Sequence, residues 1–244
     1  MIYLKKFNNE SDYLVYRDNK KKYLKPNVSF SIDSKAVHYN YPPTIIYEYV
    51  DLGLPSGTKW ATQNVGATKP SDYGQYFQWG DTIGYTANEI GTGEGQKKFA
   101  KDWSDYKWYS GSKFTKYTTG EAKLKLEDDA AHANMGGNWH TPTPAQYIEL
   151  LGNTTRKWTT LDGVSGMTLT SKKDTSKSIF FPAAGSAENG TTINVGPKCA
   201  TWTSMLNTSN IRCSQYLYFE RGEASIHITS IRCQGFVVRG VIDH

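Results

Sequence analysis

The chain is poor in cysteine, has no long apolar run and opens on a segment that does not read as a secretory leader. Its 244 residues hold three cysteines, Cys199, Cys213 and Cys233, all in the last fifth of the sequence. An odd, late-clustered set argues against a disulfide framework, and no pair has the close spacing of a zinc site. No apolar run reaches the roughly 18 residues that a helix needs to span a bilayer. Met1-Ile2-Tyr3-Leu4-Lys5-Lys6 lacks both an apolar core and a small-residue cleavage site, so it does not read as a signal peptide. Concentrated charge is missing too. The net +5 is spread over Lys20-Lys21-Lys22, Lys97-Lys98 and Lys172-Lys173, and Glu127-Asp128-Asp129 opposes it. Nucleic-acid binders carry a basic stripe interleaved with aromatics, so nucleic acid is not an expected partner.

What is plentiful is aromatic residues and glycine: 17 Tyr, 7 Trp and 22 Gly. That mixture suits short strands joined by long, packed loops better than a helical bundle. With 38% hydrophobic and 21% charged residues, a chain of this length can fill a core without staples. Residues 1–46 read as a small β module. Strand-like runs at Tyr3–Phe7, Tyr13–Arg17, Val28–Ile32 and Ala36–Tyr39 are separated by turn signals such as Lys25-Pro26-Asn27 and Asp33-Ser34. Tyr41-Pro42-Pro43 then interrupts pairing, because proline has no amide donor, and marks the boundary with a second domain over 47–244.

In that second domain Glu48–Leu52 is a strand candidate, followed by a turn at Pro55-Ser56-Gly57 and then Lys59-Trp60-Ala61-Thr62, and 66–116 mostly lacks helical periodicity. The spacing predicts two helices. One covers Pro144–Leu151, with Thr143 as N-cap, Gln146 completing a capping box and Gly152 as a left-handed stop. The other covers about Leu126–Met135, with acids near its positive end and Gly136-Gly137 after it. Ser178–Pro182, Tyr216–Phe219 and Gly235–Val241 read as strands. The class is α+β with few helices.

Several segments recur together in one order: Val50-Asp51-Leu52-Gly53-Leu54-Pro55-Ser56-Gly57-Thr58-Lys59-Trp60-Ala61, Asp72-Tyr73-Gly74, Phe77-Gln78-Trp79-Gly80, Gly136-Gly137-Asn138-Trp139-His140-Thr141-Pro142-Thr143, Phe181-Pro182-Ala183-Ala184-Gly185 and Gly235-Phe236-Val237-Val238-Arg239. Over about 48–242 the chain resembles the paralogous surface-protein domain abundant in Bacteroidetes and their phages, a relative of the formylglycine-generating branch of the C-type lectin fold. The resemblance implies a C-type-lectin-like domain, and function has to be argued from the site. Leu24-Lys25-Pro26-Asn27-Val28-Ser29 with Val37-His38-Tyr39-Asn40 is similar to a leader of Bacteroides phage and prophage proteins, which implies that 1–46 is an anchor.

The C-terminal segment resembles that of variable proteins of diversity-generating retroelements. There, randomised template adenines turn Asn codons into a set that includes Ile, Arg, Cys, Ser, Thr, His, Ala and Tyr and excludes Lys, Glu, Gln, Met and Trp. Here Ile211-Arg212-Cys213-Ser214, Arg221 and Ala224-Ser225-Ile226-His227-Ile228-Thr229-Ser230-Ile231-Arg232-Cys233 draw on that set, and Ile-Arg-Cys occurs twice. Gln215, Glu220 and Glu223 fall outside it. The resemblance implies a diversified binding surface made of Thr201, Thr203, Ile211, Arg212, Cys213, Ser214, Arg221, Ser225, His227, Thr229, Ser230, Ile231, Arg232 and Cys233, with Trp202, Leu206, Leu217, Phe219, Phe236 and Val238 as its apolar framework. Aromatics and arginines contribute most contact energy in such surfaces. The partner implied is a protein or glycan on a cell or particle, with the chain itself on a virion or cell surface. An oligomer is left open, since multimeric display would add avidity.

Other readings stand beside this one. An invariant decoration domain would need no ligand. A cysteine enzyme of the formylglycine-generating type would use one of the three thiols, with Arg212, Arg232 and His227 near them in sequence, but no cysteine sits in a catalytic motif and no catalytic residue is named. Asp128 and His132, with Glu127, Asp129 and His140, could be drawn toward a metal, but acids at a helix start complement its dipole unaided. The calcium-dependent sugar signature, Glu-Pro-Asn or Gln-Pro-Asp followed by Trp-Asn-Asp, is absent, and no metal or cofactor is expected. Gly91-Thr92-Gly93-Glu94-Gly95 lacks the lysine-serine ending of a phosphate loop and reads as a surface loop.

Overall fold

A computed structural model describes residues 30–33, 36–39, 47–118 and 120–243, with the backbone alone for 30–33, 36–39 and 227–228. The chain divides into two units, Met1–Ile45 and Ile46–His244. In the first, strands β1 (Phe30–Asp33) and β2 (Ala36–Tyr39) pair antiparallel from Phe30↔Tyr39 to Asp33↔Ala36. The strand-like runs expected at Tyr3–Phe7 and Tyr13–Arg17 lie outside the described residues.

The second unit is mostly β with few helices. In chain order it has β3 (Tyr49–Val50), β4 (Lys59–Asn64), β5 (Tyr109–Ser110), β6 (Lys113–Phe114), α1 (Ala130–Met135), α2 (Pro144–Asn153), β7 (Thr154–Leu161), β8 (Val164–Ser171), β9 (Ser178–Pro182), β10 (Ser186–Glu188), β11 (Thr191–Ile193), β12 (Cys199–Leu206), β13 (Cys213–Glu220), β14 (Glu223–Ile231) and β15 (Arg239–Ile242). The three-stranded sheets have the orders β15-β4-β3, β7-β8-β9 and β12-β13-β14. The last strand therefore pairs with the second strand of the unit, closing the fold on itself, with Arg239↔Asn64 and Val241↔Trp60 in register.

Local chemistry explains most elements. Thr143 Oγ1 accepts the Gln146 amide at 3.3 Å, and Gln146 Oε1 accepts the Thr143 amide at 2.8 Å, so the capping box opens α2 as its sequence requires. Its end corrects an expectation. Gly152 does not stop the helix, which runs on to Asn153 and leaves through an extended Thr154 (φ −125°). The last carbonyls are taken by side chains, Thr154 Oγ1 on Leu150 at 2.7 Å and Asn153 Nδ2 on Glu149 at 2.8 Å, so no left-handed residue is needed. The expected Leu126–Met135 helix is also split. Leu126–Asp128 is a 3₁₀ turn, and α1 begins only after Asp129, whose extended backbone (ψ 117°) breaks the run while its carboxylate caps Ala131 and His132. The hairpin turns Asp162–Gly163 and Asn189–Gly190 have positive φ at both central residues, as a two-residue turn with matching twist demands.

The two largest of four apolar clusters among the described residues flank β12. One packs Trp60, Tyr147, Leu169, Phe181, Leu217 and Phe219 between α2 and the sheets. The other packs Phe77, Trp79, Tyr117, Trp202, Leu206 and Phe236. β12 runs between them: Cys199 belongs to the first cluster, Ala200 and Trp202 to the second. Of the tryptophans expected to pack, Trp60, Trp79, Trp103 and Trp139 are buried, and Trp108 and Trp158 are half-buried against core clusters. Residues 66–116 are largely irregular, as the glycine and aromatic content suggests, and carry Phe99 and Trp103 at φ 53° and 71°.

Candidate ligand-binding surface

The residues singled out at the C-terminus lie on β12, β13 and β14 and at their ends. Alternation along β13 separates two faces. Leu217 and Phe219 point into the first cluster, opposite Thr201 and Cys199 of β12. Tyr216 and Tyr218 point the other way, opposite Trp202 and Ala200, and are half-buried. Across the other edge Tyr218 pairs with Ser225, Ser214 with Ser230, and Glu220 with Glu223. The framework expected from sequence is where it was placed: Trp202, Leu206, Leu217, Phe219, Phe236 and Val238 are all buried.

The second face forms a strip of polar and aromatic groups. The Tyr216 ring lies 4.7 Å from Phe236, which lies 4.4 Å from Trp202, so the phenol rests on a fixed aromatic floor. Tyr218 donates its hydroxyl proton to Glu220, and Lys198 Nζ sits 5.4 Å from the Tyr218 ring. Ser230 bonds Gln234, whose Nε2 reaches Glu188 Oε2 at 3.0 Å, and Glu188 pairs with Lys101 at 2.7 Å. Burial raises both phenols above their ordinary range, with the Glu220 carboxylate adding to the effect at Tyr218. Both therefore stay neutral hydrogen-bonding groups at physiological pH.

Five residues named from the sequence do not reach a surface. Thr201, Thr203, Ser214, Arg232 and Cys233 are each 0% exposed, so they leave the ligand-contacting set. Thr201 faces Tyr147, with the two hydroxyl oxygens 3.3 Å apart. Thr203 Oγ1 donates to the Gln215 carbonyl at 3.0 Å. Ser214 lies in the middle row of the sheet between Leu206 and Ser230. Cys233 packs with Trp103 and Tyr106, and Arg232 is enclosed by Trp79, Tyr106 and Phe114. The side chain of His227 lies outside the described residues.

The rest do not form one patch. Arg221 occupies the β13–β14 turn, while Ile211, Arg212 and Cys213 sit at the open end of the same hairpin, roughly 26 Å away for eight residues of strand. Arg212 is exposed and lies 5.3 Å above the Trp103 ring. Ile211 is half-buried against the second cluster, and Ile231 packs on the group around Trp103. Ser225 and Ser230 belong to the strip. Thr229 is exposed on β14, opposite Gln215. Sequence reasoning missed Tyr216, Gln234 and Glu188 as parts of the surface. Alternation around Leu217 and Phe219 would have found Tyr216, whereas Gln234 and Glu188 meet only through folding.

No family model, curated protein or solved structure matches this chain.

The three thiols are free. Burial pushes Cys199 and Cys233 up to about 12, and raises Cys213 as well, against the partial relief from Arg212. A nucleophilic cysteine needs the opposite shift. Among the described residues no three His, Cys, Asp or Glu side chains group to hold a metal ion. Asp128 takes the Tyr117 hydroxyl and Lys116 Nζ, each at 2.5 Å, while His132 Nδ1 faces the Trp139 carbonyl at 3.2 Å. A cleft of about 520 Å³ lined by Leu52–Pro55, Asn153, Lys172 and Lys173 shares no residue with the C-terminal sheet. Its Lys172 ammonium is already engaged by the Gly152 carbonyl at 2.7 Å.

Proposed function

We propose that the 46–244 unit is a C-type-lectin-like ligand-binding domain that presents a diversified C-terminal surface to a protein or glycan on another cell or particle, and that it works at a virion or cell surface. The observation that carries this reading is the division of labour along β13 and its neighbours. Trp202, Leu217, Phe219 and Phe236 are sealed in the core, while Tyr216, Tyr218, Ser225 and Ser230 between them stay at least partly open. A rigid sheet lowers the entropy cost of presenting variable side chains. Tyrosine and serine on such a support combine contact area with adaptable hydrogen bonding. Arg212, Arg221 and Thr229 extend the surface to the hairpin ends and edge. The raised thiols weigh against a cysteine enzyme.

The test is capture on arrays of bacterial surface glycans and proteins, comparing the intact chain with Tyr218→Ala, Ser225→Tyr and Arg212→Ala. A control, Lys157→Ala, alters the exposed face of β7. Specific capture that weakens tenfold or more in the first group and not in the control supports the proposal. Specific capture indifferent to all three surface changes would sink it.

A further inference from the structure

Two arginines are fully buried in this unit, and they are treated differently. Arg239 has all its nitrogens engaged: Nε on Asn64 Oδ1 at 2.9 Å, Nη1 on the Ala61 carbonyl at 2.9 Å and Nη2 on the Phe180 carbonyl at 2.8 Å. Arg232 does not. Its Nη1 donates to the carbonyls of Tyr117 at 3.1 Å and Lys116 at 3.3 Å, but Nε and Nη2 are buried with no acceptor. Phe114 stacks on the guanidinium at 3.9 Å, and the Tyr106 and Trp79 rings lie at 5.6 and 5.9 Å. A stacked ring satisfies the flat face of the cation and leaves the in-plane N–H groups of its edge unpaired.

Nε–H and the neighbouring Nη2–H form the fork that takes oxyanions and halides side-on. Among the described residues no carboxylate pairs with Arg232. Asp105, close enough to act on the Cys233 thiol, is committed to the Phe99 and Ala100 amides at 2.8 and 2.9 Å and to Lys97 at 3.5 Å. The Arg232 amide continues the pairing of the β13–β14 hairpin by bonding the Arg212 carbonyl at 3.0 Å. A buried cation with three of its five N–H donors idle is strongly disfavoured, and an anion at the Nε/Nη2 edge would both pair those donors and neutralise the charge.

We propose that the Nε/Nη2 fork of Arg232 binds a small monovalent anion of chloride size beneath the β5–β6 hairpin. The site locks the irregular 98–117 segment onto the end of the β13–β14 pair, and it stands whether or not the surface nearby is diversified. The experiment uses the full chain and bromide as probe. Crystals soaked in bromide are examined by anomalous diffraction, and melting is followed in bromide and in gluconate at equal ionic strength. The expected result is an anomalous peak within hydrogen-bonding reach of both nitrogens. With it comes a rise of about 5–10 °C at a hundredfold excess over Kd, absent in Arg232→Met. A water in place of the peak overturns the proposal. So does a peak with no halide-dependent stability, which would mean an adventitious ion only. If Arg232→Met does not fold, the two measurements on the unaltered chain decide alone.

Discussion

Phe219 and Tyr218 are neighbours on β13, yet truncating them should have very different consequences. Phe219 is 0% exposed, its ring 5.6 Å from that of Phe181 in the first cluster. Phe219→Ala removes a whole buried ring, and the well-packed walls can close only part of the void. Such changes cost about 3–5 kcal/mol. For a unit of this size each kcal/mol moves the melting temperature by about 2–4 °C, so a fall of about 10 °C is expected. Tyr218 is half-buried on the other face, holding one hydrogen bond to Glu220 and lying under Lys198. Tyr218→Ala frees a carboxylate that water can solvate and opens no cavity, so about 1 kcal/mol or less is expected, a shift of a few degrees. Calorimetry on the two full-length variants decides it. Equal shifts, or a larger one for Tyr218→Ala, would refute the assignment of faces on which the binding surface depends.

Three further outcomes follow from the same packing. The thiols of Cys199 and Cys233 sit at about 12 when folded, above their unfolded value near 9, so their contribution is fully present below pH 9. It is lost as pH rises from 9 to 12, because only the unfolded chain releases those protons, at up to about 1.4 kcal/mol per pH unit for each thiol. Urea melts at pH 8 and pH 10.5 should show that loss shrinking in Cys199→Ala. Arg239→Met strips donors from Asn64, Ala61 and Phe180 together and should cost about 3–5 kcal/mol, seen as a drop in urea midpoint with unchanged slope. Thr143→Ala removes one cap of α2 and should cost about 1 kcal/mol, with amide exchange accelerated in the first turn of that helix alone.

What the sequence reveals tracks how local the cause is. The capping box of α2 is contained in four consecutive residues, and it forms as read. The Asp129 break in the first helix is also local, but the carboxylate is held by Thr141, twelve residues on, whose amide and hydroxyl both bond it. The β7–β8 turn is local as well, since Asp162-Gly163 is a two-residue hairpin signal and both residues have positive φ. At the surface the gap is wider. The resemblance to a diversified segment marks Arg232 and Thr201 as binding candidates, and nothing within ten positions says that Phe114 and Tyr147 will cover them. The irregular 98–117 segment covers Arg232 and Cys233, and its path depends on the bonds of Asp105 to Phe99, Ala100 and Gln78 and on the Arg232 contacts, which no period in the sequence encodes.

The most direct test of a diversified surface is to sequence the DNA around the gene, seeking a near-repeat of the last coding stretch beside a reverse-transcriptase gene. Such a repeat is expected, differing at adenines, with the altered codons falling on open positions such as Arg212, Tyr218, Ser225, Thr229 and Ser230. Absence of any repeat would contradict it, as would altered codons scattered over Trp202, Leu217 and Phe219.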